Sequence, residues 1–356
     1  MHQSNMLASG WTVGLDVSDR YTQVYGVDPS GARVVEDRIR TTPPAMRQWF
    51  AGRPRLRVVL EVGTHSPWLS RVVAASGHEV LVANARKLRL IYQNDRKSDR
   101  LDAASLARVG RLDPTLLAPI HHRGETAQAD LALLRARETL VRARTQLVNH
   151  VRGAVKAVGG RLPACSTPSF AQRVAGELPA ILRPALEPVL ATIRHLSGQI
   201  RHYDRTLATI AHERYPETAR LRQVKGVGPL TALCYVLTLE DPHRFRRSRA
   251  VAAYLGLCPR QWESGERQPQ LRITKAGDGM ARRLLVSAAQ YILGPFGPDT
   301  ALRRWGLGLG ARGGRFPKHR AVVAVARKLA GLLHSLWVHE RDYVPAGLPG
   351  RVAQAA

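Results

Sequence analysis

Four carboxylates stand at positions where a carboxylate is costly unless something uses it. Asp16 lies inside the apolar run Val13-Gly14-Leu15-Asp16-Val17, and Glu61 near the end of Val58-Val59-Leu60-Glu61-Val62. Strand-forming sequence disfavours Asp, and an unpaired buried carboxylate is expensive, so each needs compensation. Equivalent positions on two strands would let both groups emerge at one sheet edge, and paired hard-oxygen donors suit Mg²⁺ or Mn²⁺. Asp99 and Asp102, in Lys97-Ser98-Asp99-Arg100-Leu101-Asp102, are spaced to share one face at what reads as the start of a helix. Together the four could form a two-metal site whose ions, ~3.5–4 Å apart, activate an attacking oxygen and stabilise a leaving one in phosphodiester cleavage. Singly, each has a structural role open to it. Asp16 could cap a turn into Ser18-Asp19, Glu61 could pair with Arg57 or His65, and Asp99 could be a helix N-cap with Asp102 favouring the dipole.

The elements that must position these acids are legible from patterning. WTVGLDV, RYTQVYGVD and ARVVEDRIR, the last two joined by a Pro29-Ser30-Gly31 turn, predict an antiparallel meander. A helix over Pro44 to Phe50, a strand over Leu56 to Val62, a helix from Pro67, a strand over His78 to Ala83 and helices through Arg111 follow, which indicates a mixed α/β domain. From Glu125 to about Val158 the apolar residues recur at helical spacing along an Arg-laced stretch long enough for a coiled-coil arm. A second long helix over Pro179 to Glu213 could complete a hairpin or a dimer seam, its regular part starting near Pro188. The remainder reads as short helices ending in an apolar helix, Arg320 to Trp337. Gly306 to Arg315 is too glycine-rich for regular structure and is expected to be a loop that, with Arg303, Arg304, Arg312, Arg315, Lys318 and Arg320 around it, could wrap a phosphate backbone or serve only as a flexible connector. These boundaries divide the chain into 1–118, 119–215, 216–345 and a disordered tail, 346–356.

Lys and Arg number 54 against 27 Asp and Glu, a formal charge of +27, and only seven of the bases are Lys. That excess exceeds the ~2–8 charges usual for a small soluble domain and points to a polyanion, with guanidinium forks suited to phosphate. Three widely spaced cysteines suggest neither disulfides nor a zinc site, and no stretch approaches ~18 uninterrupted apolar residues, so a cytoplasmic protein without a membrane span is expected. Gly226-Val227-Gly228-Pro229, after Lys225, reads as a tight turn between short helices. Such a turn, with Gly226 and Gly228 in it, can present backbone N–H groups to a phosphate, although any helix pair could use glycine there.

GLDVS, LEVGTHSPW and KSDRLDAASLAR resemble the DEDD motifs of insertion sequence family 110 transposases. The likeness continues through Leu134 to Arg137, through Val141 to Asn149, and into Ala253 to Gly265 and Ile273 to Asp278. It implies a RuvC-like N-terminal domain of the ribonuclease H superfamily, a helical arm and a mostly α-helical C-terminal domain with a serine nucleophile, which carries over to Ser264. A serine in a glycine-flanked loop is exposed and mobile, but its hydroxyl needs a base or metal to remove the proton. No His is close in sequence, so the resemblance implies that the DEDD site of another domain or subunit supplies that help. Glu263 departs from the small polar residue expected beside the serine. Arg260, Arg267, Arg272 and Lys275 surround the loop with phosphate-binding charge. The resemblance further implies donor and target DNA as substrates, an element-encoded guide (bridge) RNA, a dimer or tetramer, and a nucleoid-associated place in a bacterial cell.

Overall fold

The computed structural model describes residues 10–85, 98–262, 271–314 and 316–345; Ser264, Arg267, Arg315 and the 346–356 tail lie outside them. The chain forms two compact units, Met1–Gly124 and Glu125–Ala356.

The first unit is built on β1 (Thr12–Val17), β2 (Tyr21–Val27), β3 (Arg33–Arg40), β4 (Arg57–Glu61) and β5 (Glu79–Ala83), in the order β3-β2-β1-β4-β5. The meander is antiparallel as expected, and β4 and β5 add in parallel to β1. Parallel neighbours need crossovers, which α2 (Ser66–Ala75) and the segment holding α1 (Pro43–Phe50) supply. Alternation then sorts the sheet's two faces. Val13, Leu15, Val58 and Leu60 pack with Met46, Phe50, Leu69 and Val73 of α1 and α2. The opposite face takes α3 (Asp99–Leu112), and two glycines set the approach. A Cβ on Gly14 would stand 2.0 Å from the Ala103 carbonyl oxygen, and one on Gly110 would stand 2.4 Å from Val59. Because Gly14 meets Ala103 and Ala107 while Gly110 meets Val59 and Thr12, α3 runs antiparallel to β1.

In the second unit, α4 (Glu125–Ala157) and α6 (Arg183–Arg214) lie antiparallel, with the short α5 (Phe170–Val174) packed at their far end. α6 starts earlier than expected. Pro184 falls in its first turn, where amides need no intrahelical partner, and Pro188 removes only one bond further on. α7 (Glu217–Leu221), α8 (Pro229–Leu239), α9 (Ser248–Tyr254), α10 (Gly279–Leu293), α11 (Ala301–Ala311) and α12 (Pro317–Val338) enclose a second core around Leu233, Leu237, Leu285, Leu329 and Leu333. The Tyr235 hydroxyl, inside that core, donates to the Ala330 carbonyl at 2.6 Å. Among the described residues α12 alone is long and apolar enough by composition to cross a membrane, but Val325, Ala326, Leu329, Ala330 and Leu333 are fully buried in this core.

The expected glycine-rich loop is a correction. Gly306, Gly308 and Gly310 lie inside α11. A Cβ on Gly306 would stand 2.5 Å from Val325 and 2.7 Å from Leu293, so glycine here lets α11 approach α10 and α12 closely, and packing outweighs helix propensity.

Candidate functional site

Continuing the β1–β4 register by one rung beyond Leu15–Leu60 aligns Asp16 with Glu61, and alternation gives both the face that α3 covers. Both are half-buried and line one cleft of about 410 Å³ with Asp19 and His65. His65 Nδ1 accepts from the Trp68 indole at 3.1 Å, which leaves Nε2–H to face Asp19 at 3.3 Å. Arg57, on the same strand as Glu61, bonds Glu79 of β5 at 3.1 Å. The loop after β4 is held by Ser66, whose hydroxyl accepts from the Gly63 amide at 3.0 Å and donates to the Gly63 carbonyl at 2.8 Å. His122 Nε2 stands 2.8 Å from the same oxygen, its imidazole held below its ordinary pKa by burial first and by Arg71 and Arg123 next.

The antiparallel course of α3 carries its acid-bearing first turn towards the sheet end where Asp16 and Glu61 lie. Asp99 is exposed and Asp102 half-buried, and neither lines the cleft. Among the described residues no three His, Cys, Asp or Glu side chains stand close enough to enclose an ion. The N-cap is Ser98, whose Oγ accepts from Leu101 N–H at 3.3 Å, so Asp99 is not the cap and instead occupies the first helical position beside the positive end of the dipole. Carboxylate oxygens are the donor type a hard divalent cation takes, and of the four acids Asp16 and Glu61 share the cleft.

In the second unit the segment containing Ser264 is closed at its base by an antiparallel bridge. The Arg260 amide donates to the Arg272 carbonyl at 3.0 Å and the Thr274 amide to the Cys258 carbonyl at 2.9 Å. Arg260, Arg272 and Lys275 line a cavity of about 710 Å³ there, joined by Arg320 of α12 and by His319 and Arg327 of the same helix, which the sequence alone did not single out. Their signal was available as basic positions two turns apart, His319 and Arg320 with Arg327, on a helix otherwise read as apolar. Gly226, at φ +97°, is where a Cβ would meet Tyr291 and the Ala288 carbonyl at about 3 Å, so helix packing accounts for it, and Gly228 precedes α8 as its N-cap. Lys225 and Arg312 are exposed. Arg303 and Arg304 are committed locally, Arg303 to the Ile292 and Gly294 carbonyls and Arg304 to Asp299 at 2.8 Å.

Residues 13–159 match a DEDD-type transposase family of the IS110 group, and residues 218–301 match the family described as Transposase IS116/IS110/IS902 family. A "Probable family 20 transposase" of Pseudomonas aeruginosa is 29% identical over 343 residues, covering 94% of this chain and 98% of its own. The "Transposase for insertion sequence element IS1111A" of Coxiella burnetii is 29% identical over 348 residues, covering 93% and 90%. The "Transposase for insertion sequence element IS1328" of Yersinia enterocolitica is 27% identical over 288 residues, covering 79% and 83%. The chain belongs to the IS110 family of transposases.

The two matched stretches of this transposase hold the two halves of its expected chemistry. The first contains Asp16, Glu61, Asp99 and Asp102, and the second contains Ser264 with the Arg260, Arg272 and Lys275 cations near the Pro259–Ile273 bridge. Sequence reasoning missed the buried polar tie between α9 and α12. The His334 ring takes the Ser248 hydroxyl on Nδ1 at 2.9 Å and faces the Pro242 carbonyl with Nε2 at 2.8 Å. A carbonyl can only accept, so Nε2 carries the proton and Nδ1 is the acceptor.

Proposed function

We propose that this insertion-sequence transposase cuts and rejoins DNA through a transient phosphoserine bond, with Asp16, Glu61, Asp99 and Asp102 holding Mg²⁺ or Mn²⁺ and Ser264 as nucleophile. The observation that carries the reading is the shared rung of Asp16 and Glu61 on neighbouring parallel strands, at the sheet end towards which α3 runs its Asp99 and Asp102. A divalent ion bound by these oxygens would supply charge stabilisation to the oxygens around phosphorus. Ser264 Oγ forms a bond to phosphorus as its proton leaves, and the bond to one deoxyribose oxygen breaks, freeing that strand end as a hydroxyl. Attack by a hydroxyl on the same phosphorus releases the serine, so the bond energy is kept for rejoining. Residues 119–215 serve as a helical arm for a dimer or tetramer, residues 216–345 as the serine domain, and an element-encoded RNA selects donor and target DNA. The RuvC-like character of residues 1–118 is supported by the mixed sheet with its antiparallel meander and parallel β4 and β5.

Trapping on a nicked suicide DNA substrate, with Mg²⁺ and the element's RNA present, tests this reading. The expected product is a DNA adduct on Ser264 by mass spectrometry, absent from Ser264→Ala and reduced at least ~100-fold in rate by Asp16→Asn, given several kcal/mol of lost charge stabilisation. Free cleaved ends without an adduct would make the enzyme a hydrolytic nuclease. Unchanged recombination in both variants would make these residues non-catalytic.

A further inference from the structure

Trp262 is 70% exposed, although indole usually covers apolar surface, and it belongs to none of the hydrophobic clusters of the described residues. It stands two residues beyond Arg260, at the foot set by the antiparallel Pro259–Ile273 bridge and the Arg260–Arg272 backbone hydrogen bond. The cavity at that foot has Arg260, Arg272, Lys275, His319, Arg320 and Arg327 on its walls and no Asp or Glu among its lining residues. Elsewhere in the unit arginines meet carboxylates, but among the described residues none pairs with Arg260, Arg272, Lys275 or Arg327.

We infer that Trp262 and this cavity together hold one unstacked nucleotide of the DNA strand being cut, the base lying on the indole and a neighbouring phosphate entering among the guanidinium groups. The identification of that strand as the one cut rests on the Ser264 reading. Charge alone would equally suit an acidic peptide. An exposed π-face within a few residues of a cationic cavity with no acid among its described lining residues matches a nucleotide, which carries a flat ring and an anion on one short frame. A paired duplex keeps both faces of its bases covered by their neighbours, so the ring that meets Trp262 must be one that has left the stack. The sequence context agrees, because Trp262 precedes Ser264 by two residues and a base held there sets the phosphate to be attacked.

The test measures binding by the full chain without divalent metal, to labelled DNA single strands, duplexes with one unpaired base, and fully paired duplexes, with 2-aminopurine at the unpaired position. Trp262→Ala is expected to weaken the first two by about 10- to 100-fold, to abolish 2-aminopurine quenching, and to leave paired duplex binding unchanged. Trp262→Phe should restore most of the loss. Equal weakening of all three substrates, or of none, would overturn the proposal, and a loss confined to matched RNA strands would overturn its assignment to DNA. Since no cleavage is read, this result can fail while the Ser264 adduct forms, and can succeed while it does not.

Discussion

The α4–α6 pair and the α12 cavity are both arginine-rich, yet they use arginine in opposite ways. Along the helical pair, Arg137 bonds Asp204 at 2.6 Å and Arg214 reaches both oxygens of Asp130 at 2.9 and 3.0 Å. Arg144, only 8% exposed, donates to Ser197. Further along, Arg135 meets Asp278 and Arg283 meets Glu138, tying α4 to α10. Around the cavity, Arg260, Arg272, Lys275 and Arg327 gather without an acid among the lining residues. A net charge of +27 therefore does not measure the surface available to a polyanion, because part of it is neutralised inside the fold. Among the described residues, the absence of a lining acid, rather than basicity, sets the cavity's cations apart from those tied into the fold.

The largest effect expected from this contrast is at Asp130. Its carboxylate is 2% exposed and also accepts from the Tyr215 hydroxyl at 2.9 Å; burial first, and that bond second, hold the phenol well above its ordinary pKa. Asp130→Ala leaves the hydroxyl and a guanidinium without their acceptor, and should cost about 2–3 kcal/mol by chemical denaturation. Arg214 is half exposed and can recover water, which keeps the figure below that of a fully enclosed pair. DNA binding per folded molecule should not change. A fall in affinity with unaltered stability would break the contrast.

A smaller, pH-dependent effect belongs to His334. Burial first holds its imidazole below the ordinary 6.5, opposed by the Pro242 carbonyl and aided by His243 and His339. The folded state thus binds fewer protons than the unfolded one as pH falls below 6.5, and stability decreases on acidification through that value down to the lowered folded pKa. Protonated Nδ1 also could no longer accept from Ser248. Denaturation between pH 7 and 5 should show this slope, and His334→Gln should flatten it while lowering stability at pH 7. An unchanged slope in the variant would assign the acid sensitivity to His78 or His122, which burial shifts the same way.

The sheet was legible because its strands alternate and its turns carry Pro and Gly, and the Asp16–Glu61 pairing followed from their shared place near two strand ends. The long helices were equally plain. What the sequence did not yield depends on partners far along the chain. Gly306 is helical because Leu293 and Val325 leave no room for a Cβ, and Gly14 exists for the backbone of Ala103, contacts that no local window contains. Asp19 and His65 meet across 46 positions, and His319, Arg320 and Arg327 join Arg260 only through the packing of α12. Motif spacing finds groups that share an element, whereas a cavity gathers them from several. Ser264 itself was reached through family resemblance, since a glycine-flanked serine has no intrinsic signature of activation.

The smallest expected effect on stability is at Arg327, where the contrast is sharpest. Its guanidinium lines two adjoining cavities along α12 and meets no carboxylate among the described residues, so Arg327→Ala removes no ion pair and should shift stability by no more than about 0.5 kcal/mol. If the cavity takes a phosphate, the same change should weaken single-stranded DNA at every sequence alike. The dependence of log affinity on log salt should then become shallower by about one, the signature of one lost phosphate contact. Arg214→Ala is the matched control, expected to lose stability while keeping the salt slope. Two arginines of one unit would then separate completely, one felt only by the fold and the other only by the polyanion; identical salt slopes in both variants would show that the missing acids around α12 mark nothing.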